Sequence, residues 1–311
     1  VAFGNCILCN SSDVILIDRI NSADLIKLYK NRAKVEVGSL FFEKPEINYY
    51  SCNNCRLKFY WPQVIGDGAF YDALQNYNGY YLKDKSEFYE AAKWIDGNDD
   101  VLEIGCGTGN FVNFMKCKSF TGLEFSEKSI LIARNKNINV INELLEEHVN
   151  TNKNKYDVVC YFQVLEHVKD PRQFIKDSIA CLKQGGKLII AVPNDDSFIK
   201  KAVNGYLNMP PHHASRWPDH TLKNIASLFG IKFINLSYEP LHKQHILFYA
   251  KTKVYHALNK VFGVKYRIVD RSIKNGFLYI VATLLAYILA PLIVKRKKIR
   301  GQSMTAVFSK G

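Results

Sequence analysis

The sequence predicts a doubly wound α/β fold: a mostly parallel sheet with helices on both faces, preceded by a small cysteine-bearing module. Three observations carry this. Strand-like and helix-like segments alternate from Asp100 to Ser237, the pattern of a parallel sheet built from βαβ units. The first strand runs into a glycine turn, Val101-Leu-Glu-Ile-Gly-Cys-Gly-Thr-Gly-Asn110, and ligands of such sheets bind beyond the carboxyl ends of the strands. Two C-x-x-C pairs, Cys6-Ile-Leu-Cys9 and Cys52-Asn-Asn-Cys55, stand before it. The expected organisation is a cysteine module over 1–60, a connector and lid helix over 61–98, and a ligand-binding core over 99–240. A basic and apolar helical insertion over 241–300 and a final strand over 301–311 complete it.

The 311 residues are 48% apolar, ample for a core. The net charge of +13 is unevenly placed. Residues 251–311 hold 13 Lys and Arg against one acid, Asp270, so the first 250 residues carry only +1. A nucleic-acid enzyme spreads basic residues around its cleft, and residues 1–60 hold 8 basic and 6 acidic side chains, so nucleic acid is not the favoured partner. Residues 1–10 have no charged start followed by a long apolar run. With eight cysteines, that reads as a chain of a reducing, cytoplasmic compartment whose thiols are free or on metal.

The elements follow in order. Four thiolates from two C-x-x-C knuckles make a closed tetrahedral zinc site of the structural type, so Cys6, Cys9, Cys52 and Cys55 are the expected metal ligands of a zinc-ribbon-like module. The 42-residue gap between the knuckles holds three β-like runs, Val14–Ile17, Val35–Phe42 and Ile47–Tyr50. An aromatic connector, Phe70-Tyr71 through Tyr80-Tyr81, is expected to close over a bound ligand, with Tyr81 contacting it. In Ser86–Ile95, Phe88, Ala91, Ala92 and Ile95 share one helical face. The core strands are expected at Val101–Ile104, Phe120–Phe125, Ile138–Ile141, Tyr156–Phe162, Lys187–Val192 and Ile231–Ser237. Helices are expected from Phe111, from Ser126 as N-cap, after Asp170-Pro171, and over Thr221–Phe229. Cys106, Cys117, Cys160 and Cys181 read as small buried hydrophobes.

Gly105, Gly107 and Gly109 follow a G-x-G-x-G spacing; the dinucleotide fingerprint would place its third glycine where Asn110 stands. Glu103 sits two residues before the first glycine, where a pyrophosphate would be repelled. This pattern resembles motif I of the class I S-adenosylmethionine (SAM) methyltransferases, a Rossmann-like family. The resemblance implies that Glu103, Gly105, Cys106, Gly107 and Gly109 hold the methionine end of SAM, whose ammonium suits a carboxylate. It implies that Glu124, 15 residues past Gly109 at the end of the second strand, takes the ribose hydroxyls, with Phe125 beside it. Phe162-Gln-Val-Leu-Glu-His-Val168 resembles the family segment that commonly reads E-V-L-E-H-V. In some relatives its two acids and its His help bind a divalent ion. Here the first acid is Gln163, a poor ligand for a hard cation, so Phe162 and Gln163 are expected to line the SAM pocket. Glu166-His167 orients the substrate or caps the next helix.

Met209-Pro-Pro-His-His-Ala-Ser-Arg-Trp217 resembles the Pro-Pro-His-His loop of methyltransferases from bacterial surface-polysaccharide and deoxysugar pathways. That resemblance implies His213 as catalytic base, with His212 and His167 assisting. An imidazole has the pKa for this work. The alternative is that the histidines only brace the loop by hydrogen bonds. Arg216 meets a substrate phosphate or forms a salt bridge. The reading is methyl transfer from SAM to a sugar or sugar-linked small molecule, such as a nucleotide sugar or glycan precursor, in surface-glycan biosynthesis. The rivals are an RNA methyltransferase gripping nucleic acid through the zinc module and a non-catalytic scaffold of the same fold.

Gly276 to Val294 is an uncharged run of 19 residues, roughly 28 Å long as a helix. That is close to membrane thickness. Ser303–Phe308, strand-like and expected in the sheet beside the sixth strand, argues against a crossing. Ala282, Ala286 and Ala290 form a small-residue ridge suited to close helix packing. The expectation is a helix buried in protein or a homodimer interface, or peripheral contact of 255–300 with the inner face of the membrane.

Overall fold

The computed structural model describes residues 4–75, 84–294 and 299–311. Tyr80 and Tyr81 lie outside them. The N-terminal part contains β1 (Val14–Asn21), α1 (Ser22–Arg32), β2 (Glu46–Cys52), β3 (Lys58–Trp61) and α2 (Gly68–Gln75). The core runs through α3 (Ser86–Ala92), β4 (Asp100–Ile104), β5 (Ser119–Leu123), α4 (Glu127–Arg134), β6 (Val140–Ile141) and α5 (Leu145–His148). It continues with β7 (Tyr156–Phe162), α6 (Pro171–Cys181), β8 (Leu182–Pro193), β9 (Ser215–Arg216), α7 (Asp219–Phe229) and β10 (Lys232–Pro240). The C-terminal part is α8 (Ile246–Val261), α9 (Ile273–Val294) and β11 (Arg300–Ser309).

The large sheet has the order β10-β11-β8-β7-β4-β5-β6. β8, β7, β4, β5 and β6 are parallel neighbours, and β11 runs antiparallel between β8 and β10. This is the doubly wound, Rossmann-like sheet that the alternation predicts, with one antiparallel strand near its edge. The central strands are covered on both faces, so they read as continuous apolar runs: Val101, Leu102, Val158, Val159, Cys160 and Tyr161 are fully buried.

Several elements depart from the sequence reading. Ser22–Arg32, which the strand-like flanks obscured, is a helix: the Asn21 side chain caps it by accepting from the Ala23 amide, and Leu25, Leu28 and Tyr29 bury one face. Val35–Phe42 is not a strand. Gly38–Phe41 is a 3₁₀ turn, and Val35, Val37 and Phe41 are buried in an apolar cluster instead of a ladder. After the glycine turn, Asn110–Phe114 is a 3₁₀ helix that stops at an extended Met115; an α-helix from Phe111 does not form. The third strand shortens to Val140–Ile141, while β8 starts at Leu182, earlier than Lys187. The caps at Ser126 and Asp170 form, accepting from the Ser129 and Gln173 amides. Asp170 therefore occupies the cap position that Glu166-His167 was allowed.

The N-terminal module does not close on itself. Its sheet has the order β1-β2-β3-β9, and β9 belongs to the Pro-Pro-His-His loop: Lys58 pairs with Arg216 and Phe59 with Ser215. Ile7, Leu8, Leu57 and Phe59 share one apolar core with Leu102, Ile190 and Trp217. The boundary expected at residue 60 is thus bridged by both packing and hydrogen bonds.

Candidate active site

The glycine turn leaves β4 with Gly105, Gly107 and Gly109 all in the left-handed region, φ 69°, 55° and 69°. L-side chains are strained there. A Cβ on Gly105 would also fall 2.7 Å from Val164 Cγ2, and one on Gly109 2.7 Å from Ile138 Cδ1. The Gly105 and Cys106 amides donate to the Leu123 carbonyl, at 2.8 and 3.1 Å, which ties the turn to β5. The Cys106 side chain is buried against Gly122, so its contribution to a ligand is through backbone.

Glu103 is 3% exposed, and its Oε2 has no hydrogen-bond partner among the described residues. Burial, with the nearby Glu124, holds its carboxyl well above the ordinary range. A buried carboxylate oxygen without a partner is costly and suits a ligand cation. Glu124 is differently placed. Its Oε2 accepts from the Gly107 amide at 2.8 Å, and its Oε1 from the Phe125 and Ser126 amides at 2.9 and 2.8 Å. With about four acceptor sites on a carboxylate, this leaves Glu124 room for one ribose hydroxyl more readily than for two.

At the end of β7, Phe162 is 5% exposed and its ring packs on Phe88 and Phe111, with centroids 5.0 and 4.7 Å away. Gln163 adopts φ 58°, an uncommon conformation for a side-chain-bearing residue. Its amide donates to Glu87 Oε1 at 3.2 Å and Ser303 Oγ at 3.1 Å. Gln163 therefore braces α3, β7 and β11 around the turn.

The histidines expected to act together are brought together. Ring centroids lie 4.6 Å apart for His167 and His212, 4.9 Å for His167 and His213, and 4.5 Å for the stacked His212 and His213. The three imidazoles can place nitrogens within 4.8 Å of one another. His167 Nδ1 lies 2.5 Å from the His212 carbonyl, and His212 Nδ1 lies 2.8 Å from the Leu207 carbonyl. A carbonyl only accepts, so both Nδ1 atoms carry the proton and each Nε2 carries the lone pair. Beneath them Glu166 is 1% exposed, with neither oxygen hydrogen-bonded among the described residues. Its Oε1 stands 3.8 Å from His167 Nε2 and 4.0 Å from His213 Nε2. Burial pushes the Glu166 carboxyl up to about 8 and the His167 imidazole down to about 4. Burial, then the neighbouring imidazoles, takes His212 and His213 well below their usual range. The cluster is therefore uncharged at neutral pH: the imidazoles keep their lone pairs, but burial makes them weaker bases than the ordinary imidazole expected from the sequence.

Three further residues escaped the sequence reading as site components. Tyr71 stands edge-on to His167 at 5.8 Å and to Phe125 at 6.4 Å, linking the cofactor turn to the histidines. Only its place in the aromatic connector hinted at this. Asp195, 1% exposed, is 2.6 Å from Arg216 and 2.5 Å from Lys58; Arg216 thus forms the salt bridge, which also locks the cysteine module onto the Pro-Pro-His-His loop. A small cavity between Glu166, His213, Ser215, Arg216 and Trp217 lies at this junction.

In the module, Cys6, Cys9, Cys52 and Cys55 converge, their sulfurs all within 4.8 Å of one another. Cys6 lies 3.5 Å from Cys55, and Cys9 3.5 Å from Cys52; the thiols are free. Four sulfurs on a tetrahedral zinc stand about 3.8 Å apart for Zn–S bonds near 2.3 Å, so the donor set and spacing fit a metal ion.

A family model described as a methyltransferase domain matches residues 74–236, just over half of the chain. The ubiquinone biosynthesis O-methyltransferase of Erwinia tasmaniensis is 31% identical over 105 residues, covering 31% of this chain and 43% of that protein. A mitochondrial enzyme of the same name from Dictyostelium discoideum is 28% identical over 113 residues, covering 30% of this chain and 35% of that protein. The matches span less than half the length of these relatives. Their names point to ubiquinone biosynthesis, so the surface-glycan resemblance of the loop is not carried by them. A solved SAM-dependent methyltransferase from Archaeoglobus fulgidus is 18% identical, with a TM-score of 0.47, over 72% of this chain and 92% of that one. On the family match and the sheet topology, the chain belongs to the SAM-dependent methyltransferase family.

Proposed function

We propose that the chain transfers a methyl group from SAM to a hydroxyl of a small-molecule acceptor, a sugar or sugar-linked compound, with His213 as the base. Bound SAM would supply an electrophilic methyl carbon: the acceptor oxygen's O–CH₃ bond would form as the S–CH₃ bond breaks, with S-adenosylhomocysteine as the leaving group. Glu103 holds the ammonium of the methionine end, Glu124 one ribose hydroxyl, and the backbone of Gly105 to Gly109 the space between. The observation that carries the reading is the juxtaposition of His213, Glu166 and His167 at the carboxyl end of β7.

His213 is buried, so a proton it takes from the acceptor needs a way out. Glu166 lies between it and His167, which is the more exposed of the two, at 19% against 7% of the side chain. Glu166, which holds a proton at neutral pH, gives that proton to His167 Nε2 as it takes one from His213, so the positive charge ends on the more exposed imidazole. Distances near 4 Å in the ligand-free site are longer than hydrogen bonds, and catalytic contacts commonly tighten when substrate binds. Cys6, Cys9, Cys52 and Cys55 hold a structural zinc that fixes β2 and β3, and through β9 the acceptor loop.

The sugar class rests on the resemblance of the His212-His213 loop. The names of the relatives favour a second acceptor class, the hydroxyls methylated in ubiquinone biosynthesis. Turnover with labelled SAM against nucleotide sugars and against phenolic quinone precursors separates the two. Methylation of phenols alone overturns the sugar assignment, and release of no demethylated product with either panel, despite SAM binding, overturns the catalytic reading.

A further inference from the structure

We propose that α9 lies flat in the surface of an anionic bilayer and docks the enzyme there. Along α9 the residues Ile273, Phe277, Ile280, Leu284, Ile288 and Leu292 are each more than half exposed. Their spacing of three and four places them on one stripe. The opposite face, Leu278, Ala282, Ala286 and Ala290, is buried and packs with Ala250 and Tyr255 of α8. The helix thus turns its small residues inward and its large apolar ones outward, the reverse of a soluble surface helix. Contiguous apolar surface of this kind marks an interaction site.

The topology rules out a crossing. α8, before α9, packs by Phe248 and Tyr249 on Phe198 of the core. β11, after it, is hydrogen-bonded between β8 and β10. Both ends of α9 return to the same body, so the helix can only lie in the plane of an interface. Charge selects the occupant. Residues 251–300 contain 12 Lys and Arg and a single acid, Asp270. Lys274 is in the first turn of α9, and Lys295-Arg-Lys-Lys298 follows its end in sequence. Lys274 Nζ lies 3.4 Å from the carbonyl of Phe262, which sets the exposed Phe262 at the helix start. A second copy docking on this face would set one basic segment against another, because a two-fold interface matches like with like. Anionic lipid complements both the stripe and its flanks.

Co-sedimentation of the full chain with vesicles tests this. The expected result is binding to phosphatidylcholine–phosphatidylglycerol vesicles at low salt, falling about tenfold or more on pure phosphatidylcholine or in high salt, where basic contacts are lost or screened. Phe277→Glu with Leu284→Glu, both at exposed positions, should abolish binding while circular dichroism and SAM-induced thermal stabilisation stay unchanged. Three results would overturn the proposal: no binding to the anionic vesicles, equal binding by the double variant, or a dimer of the wild type that the double variant dissociates.

Discussion

Replacing Glu166 with glutamine removes an ionisable group from the interior and keeps its shape, so it isolates the electrostatics of the histidine cluster. In the unfolded chain this carboxyl ionises near 4.5, and in the folded protein burial holds the proton until about pH 8. Between those values the unfolded state binds fewer protons than the native state, so stability falls as pH rises. Each unit of the window costs about 1.4 kcal/mol, so the full span of some 3.5 units sets a ceiling of about 5 kcal/mol. Other buried acids, Glu103 among them, titrate in both proteins and cancel in the comparison. Urea unfolding of wild type and Glu166→Gln from pH 5 to pH 9 reads the difference. The variant should gain on the wild type steadily with pH, by about 3–5 kcal/mol at the alkaline end, while retaining SAM binding and losing turnover. A stability difference that stays flat across that range would refute the buried, unpaired carboxyl and with it the proton route.

His213→Asn should lower turnover by about 10²–10⁴-fold, the usual range for a general base, with SAM affinity unchanged by calorimetry. Turnover near wild type would leave the histidines as loop supports only. If the imidazoles act as proton carriers, brief incubation with EDTA that leaves the cysteine-bound zinc in place, checked by elemental analysis, should leave turnover intact. Loss at unchanged zinc content that a divalent ion restores would reassign the histidine cluster to metal binding. Elemental analysis should find one zinc per chain, and Cys52→Ser should abolish it and lower the melting temperature, since a structural zinc contributes directly to folding. Full zinc retention by Cys52→Ser would contradict the four-thiolate site.

The alternating core was legible because its strands are apolar and punctuated by caps that act locally: Ser126 and Asp170 each begin a helix where the sequence places them. The glycine turn was legible for the same reason. Four cysteines in two knuckles announce convergence across any gap. What escaped depends on tertiary partners. Ser215-Arg216 becomes a strand only because β3 offers an edge, and two residues carry no period of their own. Val35–Phe42 has the apolar run of a strand, but such a run does not reveal whether a ladder partner exists; here Val35, Val37 and Phe41 pack in a cluster instead. Glu166 reads as an ordinary acid in sequence; its character comes from burial beneath residues some 46 positions later. The apolar run in α9 was visible, but not which of its faces the protein leaves uncovered.

Glu103 is where the account can be tested most directly, since its buried oxygen, without a partner among the described residues, is the proposed seat of the SAM ammonium. Calorimetric titration of SAM into wild type and Glu103→Gln decides it. The prediction is saturable 1:1 binding by the wild type. The variant, whose circular dichroism should match, should bind about 10- to 100-fold more weakly, the value of one charge-assisted hydrogen bond of about 1.5–3 kcal/mol. No binding by the wild type, or equal affinity in the variant, would contradict it.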